Sequence, residues 1–340
     1  MSKNTNTGYR ASIHLCLART TRRAALSVVA FALTTLFVLV ACSAPQNQAV
    51  QSPSQQPSAT DWKPVEQALG KAGSVQPGDV YKVSLPRSDL KVIVAGVELK
   101  PALALGSWVA FKKSGDMTMV MGDLVLTEDE VTQVMTKLEE GGVEPTALHN
   151  HVLHESPRVM YMHIHAMGDG VKIARAIHDA LALSKTPFAA PAASTQSQDL
   201  GLDTRQLDQI MGQSGKVNGG VYQYSIARAD EINDGPTTLD SKGPAIPSSM
   251  GAEQAINFQP TAGGKAAITG DFVLIASEVN PVIKALRDNG IDVTALHSHM
   301  LMESPRLFFM HFWANDDAQK LAQGLRAALD KTNITKGQGK

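Results

Sequence analysis

The stretch that decides the fold occurs twice: residues 146–166 read TALHNHVLHESPRVMYMHIHA, and residues 294–314 read TALHSHMLMESPRLFFMHFWA. The two stretches align without a gap. Each carries histidines at alternate positions, then Glu-Ser-Pro, then an apolar run. Such a long repeat predicts two copies of a whole domain rather than a stack of short solenoid units.

The repeat extends upstream, where GDLVL at 122–126 matches GDFVL at 270–274. We place copy one at residues 61–184 and copy two at residues 201–332. The residues between them, 185–200, are rich in Pro, Ala and Ser. This composition is typical of a linker.

Hydrophobic periodicity gives the order of elements in one copy. Val80–Pro86, 91–97, 107–112 and 117–126 have strand character, and Thr127 with Glu130 predicts a capping box and a helix that ends at Gly141. A β-hairpin and a last helix follow, so the order is β-β-β-β-α-β-β-α. We therefore predict an α+β fold: a tandem duplication, each copy a mainly antiparallel sheet with two helices, packed about a pseudo-two-fold axis.

Composition excludes several classes of function. The chain has 340 residues, 31 Lys+Arg and 32 Asp+Glu, which gives a formal net charge of −1. No basic cluster follows the N-terminal segment, so we expect no nucleic-acid partner. The only cysteines are Cys16 and Cys42. The folded part can therefore contain neither a disulfide framework nor a thiolate metal site.

The N-terminal segment predicts export and a lipid anchor. Residues 1–41 combine arginines with an apolar run, as a signal peptide does, and Leu39-Val40-Ala41-Cys42 resembles a bacterial lipobox. We expect a lipid on Cys42 to hold the protein to the outer face of the cell membrane or envelope, with residues 42–60 as a disordered tether. An uncleaved anchor helix is the alternative, and Arg22-Arg23 leaves Sec or twin-arginine export open.

The run GDLVLTEDEV, followed by TALHNHVLHESPRVMYMHIH, is similar to the LppY/LpqO family of bacterial lipoproteins. The resemblance covers nearly all of the chain beyond the tether. It implies an envelope location and supplies no activity and no catalytic residues.

Eight of the ten histidines lie in the two repeated stretches. Alternate residues of a strand share a face, and so do residues directly opposite each other in a hairpin. With His151 paired to His163, or His149 to His163, three or four imidazoles would gather on one surface. The candidate metal ligands of copy one are His149, His151, Glu155, His163 and His165. Those of copy two, expected to be a degenerate site, are His297, His299, Glu303 and His311.

Clustered imidazoles and a carboxylate suit a divalent transition metal ion such as Zn, Mn, Fe, Ni or Cu. The function predicted is thus an exported lipoprotein that binds such an ion, and whether it is an enzyme stays open. The alternative is a non-catalytic binding or structural envelope lipoprotein whose histidines are buried without a metal.

Other repeated residues have simpler interpretations. Arg158 and Arg306 either form ion pairs with the nearby glutamates or clamp an anion. Asp123 and Asp271 follow glycines at what we expect to be strand starts, where turn or capping roles are common.

Overall fold

The fold is seen in a computed structural model that describes residues 60–189, 199–235 and 242–335. The expected signal peptide, the lipidation site Cys42 and the tether up to residue 59 lie outside the described residues. No helix within these ranges has the length and hydropathy needed to cross a membrane.

Copy one begins with a short helix and contains eight strands. Its elements are α1 (Lys63–Leu69), β1 (Ser74–Gln76), β2 (Val80–Pro86), β3 (Ile93–Val94), β4 (Val97–Glu98), α2 (Pro101–Ala104), β5 (Gly106–Ser114), β6 (Met117–Thr127), α3 (Glu128–Glu140), β7 (Glu144–His149), β8 (Val159–Gly168) and α4 (Gly170–Leu181).

Copy two repeats this order without the small β3–β4 hairpin and α2. Its elements are α5 (Thr204–Met211), β9 (Lys216–Asn218), β10 (Val221–Ala227), β11 (Glu253–Pro260), β12 (Lys265–Leu274), α6 (Ala276–Asp288), β13 (Asp292–His297), β14 (Phe308–Asp317) and α7 (Ala318–Leu329). Two short 3-10 helices, Ser248–Met250 and Ala262–Gly264, flank β11.

Each copy forms one six-stranded antiparallel sheet. The order is β1-β2-β5-β6-β8-β7 in copy one and β9-β10-β11-β12-β14-β13 in copy two. The tandem α+β architecture is as the sequence predicts. Both sheets have the terminal hairpin strand, β7 or β13, at an edge.

The helices of each copy cover one face of its sheet, and the other faces of the two sheets meet. Along β6, Val120, Leu124 and Leu126 pack under the helices, while Met119 and Met121 pack against copy two. Successive strand residues point to opposite faces, which is why β6 is apolar almost throughout. The layers are therefore helix, sheet, sheet, helix.

A pseudo-two-fold axis runs between the sheets and exchanges two apolar clusters. Each cluster contains residues of both copies. One cluster contains Val125, Val159, Tyr161 and Val221; the other contains their counterparts Val273, Leu307, Phe309 and Val80. The space between the clusters is where the repeated histidines lie.

A buried arginine fixes the start of α3 in copy one, and its counterpart fixes the start of α6. Arg87 is fully buried and contacts Asp89 and Glu130 at 2.8 Å. Glu130 also accepts from the backbone N–H of Thr127 at 2.9 Å, which is one half of the predicted capping box. In copy two, Arg228 contacts Asp230 and Glu278, and Glu278 accepts from the N–H of Ile275 at 2.9 Å.

The sequence misses the short helices α1, α2 and α5, so each copy has more than the two helices expected. The segment 91–97, expected as one strand, forms the β3–β4 hairpin instead. Because α1 and α5 are short, packing rather than intrinsic propensity stabilises them. In copy one, His178 of α4 hydrogen-bonds the carbonyl of Leu69 at the end of α1, at 2.9 Å.

Candidate metal centre

Neither of the expected hairpin registers is observed. His149 lies opposite Tyr161, and Ala147 lies opposite His163, with a β-bulge between Pro145 and Ala147. His149 and His163 still share one face, because the register differs from expectation by an even number of residues. That face is the one that meets copy two.

His151 and His299 are not on strands, contrary to expectation. β7 ends at His149, and both Ser-Pro bonds in the following loops are cis. The opposite copy holds each loop: Thr146 Oγ1 donates to the carbonyl of His299 at 2.6 Å, and Thr294 Oγ1 donates to the carbonyl of His151. The two bonds are equivalents under the pseudo-two-fold.

Six imidazoles from the two copies interleave at the axis; we call them the histidine cluster. His149 stacks on its own counterpart, His297, with ring centroids 3.6 Å apart. The other contacts are exchanged by the axis: His151 on His311 at 3.8 Å, and His163 on His299 at 3.5 Å. Tyr161 and Phe309 close the ends of the cluster by stacking on His151 and His299.

Four members of the histidine cluster can hold a metal ion together. His149, His297, His299 and His311 each offer a ring nitrogen, and these nitrogens lie within 4.8 Å of one another. Nitrogens bound tetrahedrally to a common ion at ~2.0–2.1 Å are about 3.4 Å apart, so the rings must come closer together when an ion binds. The set takes one ligand from copy one and three from copy two, rather than coming from a single hairpin.

Several ring nitrogens in the cluster are buried and make no hydrogen bond to the described protein. They are His149 Nε2, His151 Nε2, His163 Nε2, His297 Nδ1 and His311 Nε2. In His311, Nδ1 lies 2.9 Å from the carbonyl of Gly270. Donation there fixes the tautomer and leaves Nε2 with a lone pair, and a backbone carbonyl commonly orients a metal-binding histidine in this way.

Burial keeps the cluster neutral. Burial first, and the neighbouring imidazoles second, lower the pKa of His149 to about 3 and that of His297 to about 2, and burial lowers the pKa of His311 to about 4. The pKa values of His151, His163 and His299 are lowered well below the usual range for the same reasons. Neutral imidazole is the form that binds metal ions, so the ligands are ready at pH 7 without losing a proton.

Asp123 and Asp271 belong to the site, which the sequence interpretation missed. They lie within β6 and β12, directly opposite His163 and His311, rather than at turns. Asp271 Oδ1 is 3.2 Å from His311 Nδ1, and Asp123 Oδ1 is 3.9 Å from His163 Nε2. Burial raises the pKa of Asp271 to about 8, and burial with the charge of Asp271 raises that of Asp123 well above its usual range.

The two glutamates and His165 lie outside the group of four nitrogens. Glu155 accepts from the N–H of Val159 at 3.3 Å, and Glu303 accepts from that of Leu307 at 2.9 Å. Burial raises the pKa of Glu155 to about 7. His165 turns away from the cluster, and its Nε2 is 2.8 Å from Asp234 of copy two.

The repeated arginines do not face the cluster. Arg306 Nη1 forms an ion pair with Glu303 at 3.2 Å, which was one of the two expected roles. Arg158 is largely exposed, and its nearest acidic partner is Glu128 at 3.7 Å rather than Glu155.

A cavity of 780 Å³ opens beside the histidine cluster, between the two copies. His151 and His311 line it, together with Asp123, Asp271 and Lys82. The cluster is therefore reachable by a small molecule. A metal ion held there would have a binding cavity next to it, as metal centres that act on substrates do.

No curated protein matches this chain. The crystal structure of a trimeric bacterial microcompartment shell protein, PduB, is 12% identical, covers 78% of this chain and 96% of its own, and has a TM-score of 0.21. EtuB from Clostridium kluyveri is 10% identical, covers 77% of this chain and 90% of its own, and has a TM-score of 0.19. Likenesses this low carry no argument.

One family model matches each copy once. It is DUF1529, described as "Domain of Unknown Function (DUF1259)", and it covers residues 63–183 and 205–331. The two matched segments agree with the internal duplication and together make up most of the chain. This protein therefore belongs to the family that this domain of unknown function defines.

Proposed function

We propose that the histidine cluster binds a divalent transition metal ion between the two copies. The observation that carries the proposal is the group of four ring nitrogens, from His149, His297, His299 and His311, within 4.8 Å of one another. Buried polar groups normally have partners, so several unpartnered imidazole nitrogens at one point favour a ligand there.

The ligand set also selects among metals. It contains imidazoles only, and imidazole suits Zn²⁺, Cu²⁺, Ni²⁺ and Fe²⁺ better than Mn²⁺, which prefers oxygen ligands. A bound ion of this kind would polarise an oxygen of a molecule in the cavity or lower the pKa of a water there. The protein's own part is to hold the imidazoles neutral and oriented.

The test is metal analysis of untagged protein. After growth in metal-replete medium, we expect roughly one equivalent of a transition metal per chain, as a single four-ligand site holds. The double variant His297→Ala/His311→Ala should lose it. His154→Asn is the matched control, because His154 is exposed, has a positive φ that Asn tolerates, and lies outside the cluster.

The second candidate is a metal-free structural role, and one contact favours it. His297 Nε2 and His299 Nε2 are 2.9 Å apart, a distance at which two neutral imidazoles can hydrogen-bond each other. Less than about a tenth of an equivalent of bound metal, with no saturable uptake of added Zn²⁺, Cu²⁺ or Ni²⁺, would decide for this role, since a site of this kind binds tightly.

We propose further that the protein is an exported lipoprotein, on the lipobox that ends at Cys42. Radiolabelled palmitate should be incorporated into the wild-type protein and not into Cys42→Ser, and the variant should leave the membrane fraction. Palmitate in neither protein would contradict the anchor, and Cys16→Ser is the control for a label on the other cysteine.

A further inference from the structure

A small void lies beside the stacked pair of His163 and His299, whereas the large cavity lies beside the equivalent pair, His311 and His151. The volume of the void is about 10 Å³. A void of ~10–15 Å³ holds a single guest of the size of a water molecule. It therefore has room for one ion and not for a substrate.

Three buried methionines line the void together with the two histidines. Met121 lies on the face of β6 that meets copy two, Met250 ends the first 3-10 helix, and Met300 follows His299 in its loop. The rest of the wall consists of Trp108, Gly122, Ile164 and Gly251. Within the part of the chain that the structure describes, no carboxylate lines this void.

The repeated fold does not require sulfur at these positions. The counterparts of Met121 and Met300 in the other copy are Thr269 and Val152, which lie at the same places in the repeat. Methionine fills irregular gaps well, yet the equivalent region is built with a threonine and a valine. The methionines are thus particular to the side of the histidine cluster where the void lies.

The donors around the void select a soft ion of low charge. Thioether sulfur is a soft ligand that favours Cu(I), and imidazole also binds copper. The cost of burying an ion rises steeply with its charge, and here no carboxylate offsets it. A monovalent ion is therefore favoured over a divalent one.

We propose that this void is a second metal site, selective for Cu(I), with a ring nitrogen of His163 and the sulfurs of Met121, Met250 and Met300 as ligands. His163 is outside the group of four nitrogens, and its Nε2 makes no hydrogen bond to the described protein. The ring of His299, which belongs to that group, stacks on His163, so the two sites are adjacent. The inference goes beyond the proposed function, because it requires no ion at the four nitrogens.

The experiment is Cu(I) binding in competition with bicinchoninate, without oxygen, on the full chain carrying Cys16→Ser and Cys42→Ser. These two substitutions remove the thiols, which would also bind Cu(I). We expect one equivalent of Cu(I) per chain. Met121→Leu/Met300→Leu should weaken its binding by more than about tenfold, the least that loss of a group supporting a ligand costs. Exchange of Met for Leu conserves volume, so the fold is retained.

Met119→Leu is the matched control, because Met119 is buried on the same face of β6 and does not line the void. It should bind Cu(I) as the parent chain does. Binding of Zn²⁺, measured in parallel, should be the same in all of these proteins, since zinc sites use thiolate, imidazole and carboxylate ligands. In protein made with selenomethionine, X-ray absorption at the copper edge should show selenium bound to copper.

Cu(I) binding that is unchanged in Met121→Leu/Met300→Leu, or copper without selenium neighbours, would overturn the inference. So would equal losses of Cu(I) and Zn²⁺ in His297→Ala/His311→Ala, because the copper would then lie at the four nitrogens. Methionine-dependent Cu(I) binding without uptake of a divalent ion supports this site and contradicts the proposed divalent one. If the methionine double variant fails to fold by circular dichroism, the selenium signal decides.

Discussion

Copy one and copy two have the same sheet order, the same buried arginine and the same histidine in the loop after the edge strand. They nevertheless contribute unequally to the candidate metal centre between them. Copy two supplies His297, His299 and His311 to the group of four nitrogens, and copy one supplies His149. Copy one instead carries His165, which bonds Asp234 across the contact, where copy two has Trp313. Both the fold and the six histidines of the cluster are thus repeated, and the copies differ in how many of these histidines belong to the group of four nitrogens.

The largest effect should come from the repeated arginines and should be equal in the two copies. Arg87→Met and Arg228→Met each leave buried carboxylates without a counter-charge, so each should lower the free energy of unfolding by about 3–5 kcal/mol. Urea denaturation measures this. Arg175→Met, at an exposed position of α4, is the control. A loss of stability in only one of the two variants would show that the arginines at the starts of α3 and α6 are not equivalent.

The next effect separates cluster members that the sequence treats alike. His311 belongs to the group of four nitrogens, and its counterpart His163 does not. His311→Ala should weaken metal binding by more than about 100-fold. His163→Ala should weaken it by about tenfold, because His163 only supports a ligand, His299, on which it stacks. Competition with a chromophoric chelator gives both values. Equal losses would place His163 among the ligands.

Acid should act in opposite directions on the cluster and on His165. In metal-free protein the pKa of His311 is about 4 in the folded state, below the value of ~6.5 in the unfolded state. The contribution of His311 to the free energy of unfolding is therefore present above pH 6.5 and is lost as the pH falls. At pH 5 this lowers the free energy of unfolding by about 2 kcal/mol. Urea titrations at pH 8 and pH 5 measure the difference in wild-type protein, and in His311→Gln the difference should be smaller by that amount.

For His165, burial lowers the pKa, but the hydrogen bond to Asp234 and the charges of Asp234 and Glu144 outweigh it and raise the pKa. The contribution of His165 to the free energy of unfolding is present below the pKa of the unfolded state, and it is lost as the pH rises through the pKa of the folded state. His165→Gln should therefore cost more stability at pH 5 than at pH 8. The same cost at both values would show that the Asp234 contact carries no charge.

The smallest effect distinguishes the two hairpin arginines. Arg306 is half-exposed and pairs with the buried Glu303, so Arg306→Ala should cost about 1 kcal/mol. Arg158 is exposed with its partner Glu128, and Arg158→Ala should cost less than about 0.3 kcal/mol. Thermal unfolding of the two variants is sufficient. A larger cost for Arg158 would return it to the anion-binding role considered from the sequence.

The sequence predicts the architecture of each copy because local patterns determine it. β2 has the bounds expected, and Glu130 caps α3 as the Thr-x-x-Glu spacing requires. It also predicts that His149 and His163 share a face, since this depends only on the two-residue period of a strand.

The composition of the centre could not be read from one copy. Threonines of the opposite copy hold the loops that carry His151 and His299. The residue pattern of one copy does not show that the other copy packs on the face of its sheet that the helices leave uncovered. A signal for Asp123 and Asp271 was present all the same. Each is a carboxylate inside an otherwise apolar strand, repeated at the same position in both copies.

The covalent link between the copies has a consequence for the cavity that lies between them. In an assembly of two identical chains, every substitution near the symmetry axis appears twice, so a tryptophan there would intrude from both sides. A single chain escapes this restriction. Trp108 lies opposite Asp123, and Ala255 holds the equivalent position opposite Asp271. The tryptophan can therefore stay on one wall of the cavity while the alanine leaves the other wall open, and each copy can change without the same change in the other.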